Sequence, residues 1–288
     1  MDKLVELFTD VDDFCNVFLP QWYAYQVEQG QIKRERACQM TMAEIMTVII
    51  LFHMSHQRDF KNFYKGYLAR FHKKDFPTLL SYTRFLELMP RAVVPLSSYF
   101  KTLTSADSNI CFIDSTSIKV CHNLRIPRHK TFAGVAKRGR GTMGWYYGFK
   151  LHLIINHRGE IVAAKVTPAN KHDTAPVDEL TQSLTGTLYG DKGYISNKLE
   201  QSLSERGLKF VTNVRSNMKA KAISAWDKAM LSKRFIIETV NDQLKNICQL
   251  EHSRHRSLHG LILTVLGALI AYSHKEKKPS ITVDELMA

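Results

Sequence analysis

The run Ile110-Cys111-Phe112-Ile113-Asp114-Ser115-Thr116-Ser117-Ile118-Lys119-Val120 reads as a β-strand, because it is mostly β-branched, aromatic or small and lacks Gly and Pro. Asp114 stands in its middle, directly after four residues suited to burial. Aspartate is depleted in strands, and a buried carboxylate is costly unless paired or metal-bound. Two readings follow: a strand with one face in water, or a metal ligand set on a rigid strand.

Downstream, Lys119 to Lys150 holds eight Lys and Arg, five Gly and no acid. Part of it is expected to be a mobile loop that orders on a phosphate backbone. Gly148 to Ile155 and Glu160 to Val166 form a hairpin around Asn156-His157-Arg158-Gly159. Asp173-Thr174-Ala175-Pro176 opens a helix to about Leu184, with Asp173 as N-cap. Leu188-Tyr189-Gly190 is a short strand ending at Asp191, and a helix then runs through Arg206. Leu208 to Val214 is the fifth strand. A basic linker with Arg215, Lys219, Lys221 and Lys228 leads to a helix over about 228–250. The order β, β, β, helix, β, helix, β, helix is that of a ribonuclease-H-like fold, a mixed five-stranded sheet with flanking helices.

In that order Asp114 lies on the first strand, Asp191 ends the fourth and Glu238 sits on the helix after the fifth. On this helix Arg234, Glu238, Asn241 and Lys245, spaced 4, 3 and 4, make one polar stripe. Ile236, Ile237, Val240, Leu244 and Ile247 lie on the neighbouring face. Three carboxylates so placed can hold two divalent ions roughly 3.5–4 Å apart, one activating water or a 3′-hydroxyl and one stabilising the leaving oxygen of a phosphodiester. Oxygen ligands with open positions favour Mg²⁺, with Mn²⁺ as substitute. Arg234 and Lys245 then bind phosphate, and Lys137, Arg138, Arg140, Lys150 and Lys192 join them as DNA contacts. The competing reading of Arg234, Glu238 and Lys245 is an exposed i,i+4 ion-pair ladder.

Charge is uneven. Residues 1–109 hold 13 Lys and Arg against 12 Asp and Glu, while residues 110–288 hold 27 against 15, within a formal net charge of +13. Such an excess favours polyanionic partners, above all nucleic acid. Five scattered cysteines without a C-x-x-C pair suggest neither a disulfide framework nor a zinc ribbon, and fit a reducing, cytoplasmic interior. The apolar run Leu261 to Tyr272 is too short to span a bilayer and suits a buried helix.

The first third reads as helical. Leu4, Leu7, Phe8, Val11, Phe14 and Phe18 follow a helical period, and Thr41 caps an apolar helix, Ile45 to Met54. Basic and aromatic residues interleave from Arg58 to Lys74, so a helix-turn-helix-like DNA reader and a plain bundle both stay open. Ser81 to Arg91 makes a further helix ended near Pro90 and Pro95. The expected division is a helical DNA-end-binding domain over 1–107, a catalytic domain over 108–275 and a tail over 276–288.

Asp191-Lys192-Gly193-Tyr194 is similar to D-x-G-[YF], and Asn170-Lys171-His172-Asp173 to N-x-H-D. Arg234, three residues, Glu238, six residues, Lys245 resembles Y-(2)-R-(3)-E-(6)-K, with Leu231 at the tyrosine position. On these motifs residues 108–275 resemble the DDE transposases of bacterial insertion sequences. The resemblance implies binding to terminal inverted repeats, hydrolysis to a 3′-hydroxyl, and direct transesterification into target DNA. It also implies a synaptic assembly of two or more protomers, acting at the nucleoid. The alternatives are a catalytically inactive transposase-derived DNA-binding protein and a non-transposing nuclease of the same fold. Zinc at His252, His255 and His259 lacks an H-E-x-x-H partner pattern. Asp173 and Asp242 rival the chosen acids less well, the first as a cap and the second further round the helix.

Overall fold

The computed structural model describes residues 3–34, 36–141, 144–214, 222–251 and 255–282. The chain forms two compact units, Met1–Leu103 with Leu244–His274, and Thr104–Gln243 with Lys275–Ala288. The division differs from the expected one because Leu244–His274 packs within the helical unit. Of the linker basics, Arg215, Lys219 and Lys221 fall outside the described residues.

In the first unit a helix over Lys3–Glu28 buries Leu4, Leu7, Val11 and Cys15, a 3-4-4 spacing that makes one face. It packs on the Met42–Met54 helix. That helix starts with a full capping box. The Glu44 N–H donates to Thr41 Oγ1 at 3.1 Å, and the Thr41 N–H donates to the Glu44 carboxylate at 2.6 Å. The helix over Leu258–Ser273 is buried on nearly every side against Met42–Met54 and Val93–Thr102. Gly267 permits the approach, since a β-carbon there would lie 2.9 Å from the ring Nε2 of buried His53. His53 Nδ1 lies 2.7 Å from the Cys248 carbonyl, and burial pushes the imidazole down to about 4, so it stays neutral.

The basic-aromatic stretch sorts by polarity. Phe60 stacks on Phe85 and meets Phe52 edge-on, Phe63 and Tyr64 pack tilted against Phe52 and Phe85 respectively, and Arg58, Lys61, Lys65, Arg70, Lys73 and Lys74 remain exposed. Its backbone is a broken helix with a π-helical turn over Phe63–Leu68. The next helix, Tyr82–Leu88, ends near Pro90 as expected, whereas Pro95 ends no element. A 3₁₀ turn over Met89–Ala92 joins the Tyr82–Leu88 helix to Val93–Thr102, with Pro95 in the first turn, where its missing N–H leaves no intrahelical bond unmade.

The second unit is built on a mixed sheet. Its strands are β1 (Ile110–Cys121), β2 (Lys137–Gly141), β3 (Gly144–Asn156), β4 (Ile161–Pro168), β5 (Gly186–Gly190) and β6 (Leu208–Thr212). The order is β2-β3-β1-β5-β6, with β4 also on β3. β1 runs antiparallel to β3 and parallel to β5, and β5 is parallel to β6. Leaving β2 aside, β4-β3-β1-β5-β6 is the ribonuclease-H-like arrangement. The segment expected to be a mobile loop supplies β2, which pairs with the outer part of β3, from Lys137↔Gly148 to Gly141↔Gly144. β2 and β4 thus share one edge of β3 in tandem. Gly139 makes this possible, because a β-carbon there would sit 2.8 Å from Ala169 Cβ just beyond β4. The register of β1 on β3 is regular from Cys111 to Lys119 and shifts only between Lys119 and Cys121.

One sheet face carries Cys111, Ile113, Ile154, Leu188 and Phe210, packed on Val177, Leu180, Leu199 and Leu203. The other face carries Phe112 stacked on Tyr189 and is covered by the helices Ala225–Lys233 and Phe235–Asp242. The expected helix to Leu184 is only Val177–Leu180, and Asp173 does not cap it. All five cysteines are free; Cys15, Cys111 and Cys248 are buried. Among the described residues no helix is long and apolar enough to cross a membrane.

Candidate active site

Asp114 faces the helix-covered side of the sheet. Parallel pairing runs Ile110↔Thr187, Cys111↔Leu188, Phe112↔Tyr189. Carried two residues further, it brings Asp191 level with Asp114 and onto the same face. Asp191 follows β5 and caps the short turn Lys192–Tyr194, its Oδ1 accepting from the Gly193 N–H at 2.8 Å. Glu238 comes from the helix above, whose Ile236, Ile237 and Val240 are buried.

The helix expected over 228–250 is interrupted twice. Arg234 ends Ala225–Lys233 and begins Phe235–Asp242, and a π-helical turn follows over Gln243–Ile247. The break turns Arg234 towards the acids. One guanidinium nitrogen donates to Glu238 at 2.7 Å, and the other lies 3.9 Å from Asp114 with no hydrogen-bond partner of its own. Asn241, buried one turn on from Glu238, donates from Nδ2 to Asp114 Oδ2 at 3.1 Å. The π turn alters the 4-3-4 stripe. Lys245 belongs to the other compact unit and lies 3.8 Å from Glu251. Leu231, at the tyrosine position of the motif, is buried and offers no polar contact.

Electrostatics single out Asp114. Burial pushes its carboxyl up to about 6; Arg234 and the Ser115 N–H pull it down, and the charges of Asp191 and Glu238 push it up again. Mutual repulsion places the three acids in one field. Their oxygen donors suit a hard divalent cation in kind. Among the described residues no group of three His, Cys, Asp or Glu is gathered closely enough to hold one, Glu238 being drawn to Arg234 with its side chain 58% exposed.

Asp173 has a different task. Lys150 Nζ and Ser115 Oγ each donate to its Oδ1 at 2.8 Å. Burial works against its charge, yet these bonds hold its carboxyl below the usual range. Lys150 is committed to this network and also donates to the Lys171 carbonyl at 3.1 Å. Tyr194 is buried beside the same acids, and burial pushes its phenol up. Lys137, Arg138, Arg140 and Lys192 are exposed, as is Asp242. His152 meets Thr167, and His172 meets Thr174, within the sheet and turn. His252 lies outside the described residues, while His255 is held down to about 4 by burial. Sequence alone singles out neither Asn241 as a partner of Asp114 nor Ser115 as a partner of Asp173. The first had a signal in its place on the Glu238 stripe.

The solved structure of a piggyBac transposase synaptic complex with hairpin DNA aligns with 98% of this chain and 78% of its own, at 13% identity and a TM-score of 0.43, a likeness that carries no inference. No curated protein matches the sequence. A family model described as "Transposase DDE domain" matches residues 104–258. That span contains β1 to β6 and all three acids, and is more than half of the chain. The protein therefore belongs to the DDE transposases, a family whose work on DNA depends on divalent metal.

Proposed function

We propose that Asp114, Asp191 and Glu238 are the catalytic carboxylates of a bacterial insertion-sequence transposase that frees a 3′-hydroxyl at each element end and joins it to target DNA. The observation that carries the reading is the setting of Asp114, which accepts from Asn241 Nδ2, lies 3.9 Å from Arg234 and has its carboxyl raised to about 6, chiefly by burial, with the charges of Asp191 and Glu238 adding to the rise. A structural aspartate gains nothing from burial in the field of two further acids, whereas a bound cation relieves the repulsion.

Asp114 and Asp191 would hold Mg²⁺, or Mn²⁺ in its place, and Glu238 would complete the set for two ions once it leaves Arg234. When bound, the ions supply Lewis-acid activation of the attacking oxygen and charge stabilisation of the leaving one. Asn241 keeps the Asp114 carboxylate oriented. Arg234 neutralises excess negative charge and meets the phosphate as it enters, releasing Glu238. In hydrolysis the water oxygen bonds to phosphorus and the 3′-oxygen leaves. In joining, that 3′-oxygen attacks a target phosphodiester and the target's own 3′-oxygen leaves, so no energy source is required. The exposed Lys137, Arg138, Arg140 and Lys192 bind phosphates, Lys245 adds a further cation, and the N-terminal helices bind the terminal inverted repeats. Two or more protomers hold the paired ends.

The test is cleavage and strand transfer on duplexes carrying the element's own ends, with Mg²⁺ or Mn²⁺. Asp114→Asn, Asp191→Asn and Glu238→Gln should each abolish both reactions and leave DNA binding within about threefold. A wild-type protein that binds but neither cuts nor joins would favour the binding-only alternative. Cutting without joining would favour a nuclease.

A further inference from the structure

From Ser115 to Gly159 the chain has nine Lys and Arg and no Asp or Glu. The structure folds part of this acid-free stretch into an arm: a 3₁₀ turn over Asn123–Arg128, followed by β2 and the outer part of β3. Arg125, Arg128, Lys130, Lys137, Arg138 and Arg140 are all exposed on it. Two large apolar side chains stand among these cations. Leu124 is 84% exposed and Trp145 is 62% exposed.

They are not loose. Asn123 Nδ2 donates to the Trp145 carbonyl at 2.7 Å, tying the turn that bears Leu124 to the strand that bears Trp145. Arg140 pairs with Trp145 and Arg138 with Tyr147, so both arginines share the Trp145 face of the ribbon. Asp114 pairs with Leu153, eight residues before which stands Trp145, and an even offset along β3 puts both on one face of the sheet. At about 3.3 Å per residue the offset is roughly 26 Å, or about seven to eight base pairs of duplex. Rings and aliphatic side chains left in water among arginines match the chemistry of proteins that wedge apolar groups between base steps while cations hold the phosphates.

We propose that this arm is a DNA-bending wedge: Leu124 and Trp145 enter the minor groove of duplex DNA about seven to eight base pairs from the scissile phosphate, with Arg138 and Arg140 on the flanking phosphates. The inference rests on the transposase reading for the position of the DNA, and adds the residues that deform it.

The experiment is end-to-end fluorescence transfer on an element-end duplex, which reads the bend, together with 2-aminopurine placed at successive positions, which reads unstacking. Wild type should bend the duplex and brighten 2-aminopurine at one or two adjacent steps seven to eight base pairs from the cut. Leu124→Ser with Trp145→Ala should lose the bend and the brightening and lower strand transfer at least tenfold; Trp145→Phe should restore much of each. Arg138→Ala with Arg140→Ala should reduce the slope of log binding against log salt by about two. If wild type cuts and joins DNA but no position brightens, or the double wedge variant bends DNA as wild type does, the wedge is wrong and the catalytic reading stands. If wild type neither binds nor processes DNA, both fail.

Discussion

Asp114 is the residue at which stability and activity oppose one another. Its carboxyl titrates near 6 in the folded protein, above the unfolded value of 3.8, so folding favours the protonated form. This penalty is absent below about pH 4, grows as pH rises through the folded value, and is full above it. Asp114→Asn should therefore raise the unfolding free energy of the metal-free protein at pH 7 by on the order of 2 kcal/mol while abolishing strand transfer, and the gain should vanish at pH 4. Melting curves at the two pH values check this, and a gain that persists at pH 4 would assign it to packing. Mg²⁺ should raise the melting temperature of wild type at pH 7 and leave Asp114→Asn unmoved. The sequence made this residue legible because a lone acid in an apolar strand demands a reason. Asp173 was less legible. Its neighbours Thr174 and Pro176 suggested a helix start, but its partners Ser115 and Lys150 come from β1 and β3, and no local pattern encodes a cross-strand bond.

Among the elements, those with a strong period or cap are legible in the sequence, and those made by their neighbours are not. Thr41 and Glu44 announce their helix, and Thr41→Ala should cost about 1 kcal/mol in a denaturant titration with unchanged m-value. β2 is Lys-Arg-Gly-Arg-Gly, with no β-forming residue; it is a strand because β3 offers a free edge there and Gly139 clears Ala169. Gly139→Val should therefore separate the arm from the sheet despite its higher strand propensity, seen as faster amide exchange over 137–148 with the core unaffected. Equal protection in the variant would refute the steric argument. The helix over 228–250 kept its apolar period but not its continuity. Periodicity reports which face is buried, and the break at Arg234 changes that face by too little to register in the pattern.

For the whole molecule, the compact units are not consecutive stretches of chain. Leu244–His274 returns to the N-terminal helices, and its Leu261, Leu263, Leu269 and Ile270 are buried there. A chain ended at Gln243 should leave those helices with an uncovered apolar surface. It should bind a hydrophobic dye and melt without a cooperative transition of the helical unit, whereas a native-like melt would show that the unit needs nothing beyond Leu103. The charge excess of the second part of the chain implies binding that weakens steeply with salt. Finally, the one irregularity of β1 lies past its acid, between Lys119 and Cys121. Alternation along a strand makes position a matter of odd and even, so one added residue before Asp114 would hand its place to Ile113 and point the carboxylate into the apolar layer around Val177 and Leu180. The same addition after Lys119 would only enlarge an existing bulge. Chain length is thus negotiable on one side of the acid and fixed on the other, and a scan of single-residue insertions along β1 should show activity returning abruptly at that boundary.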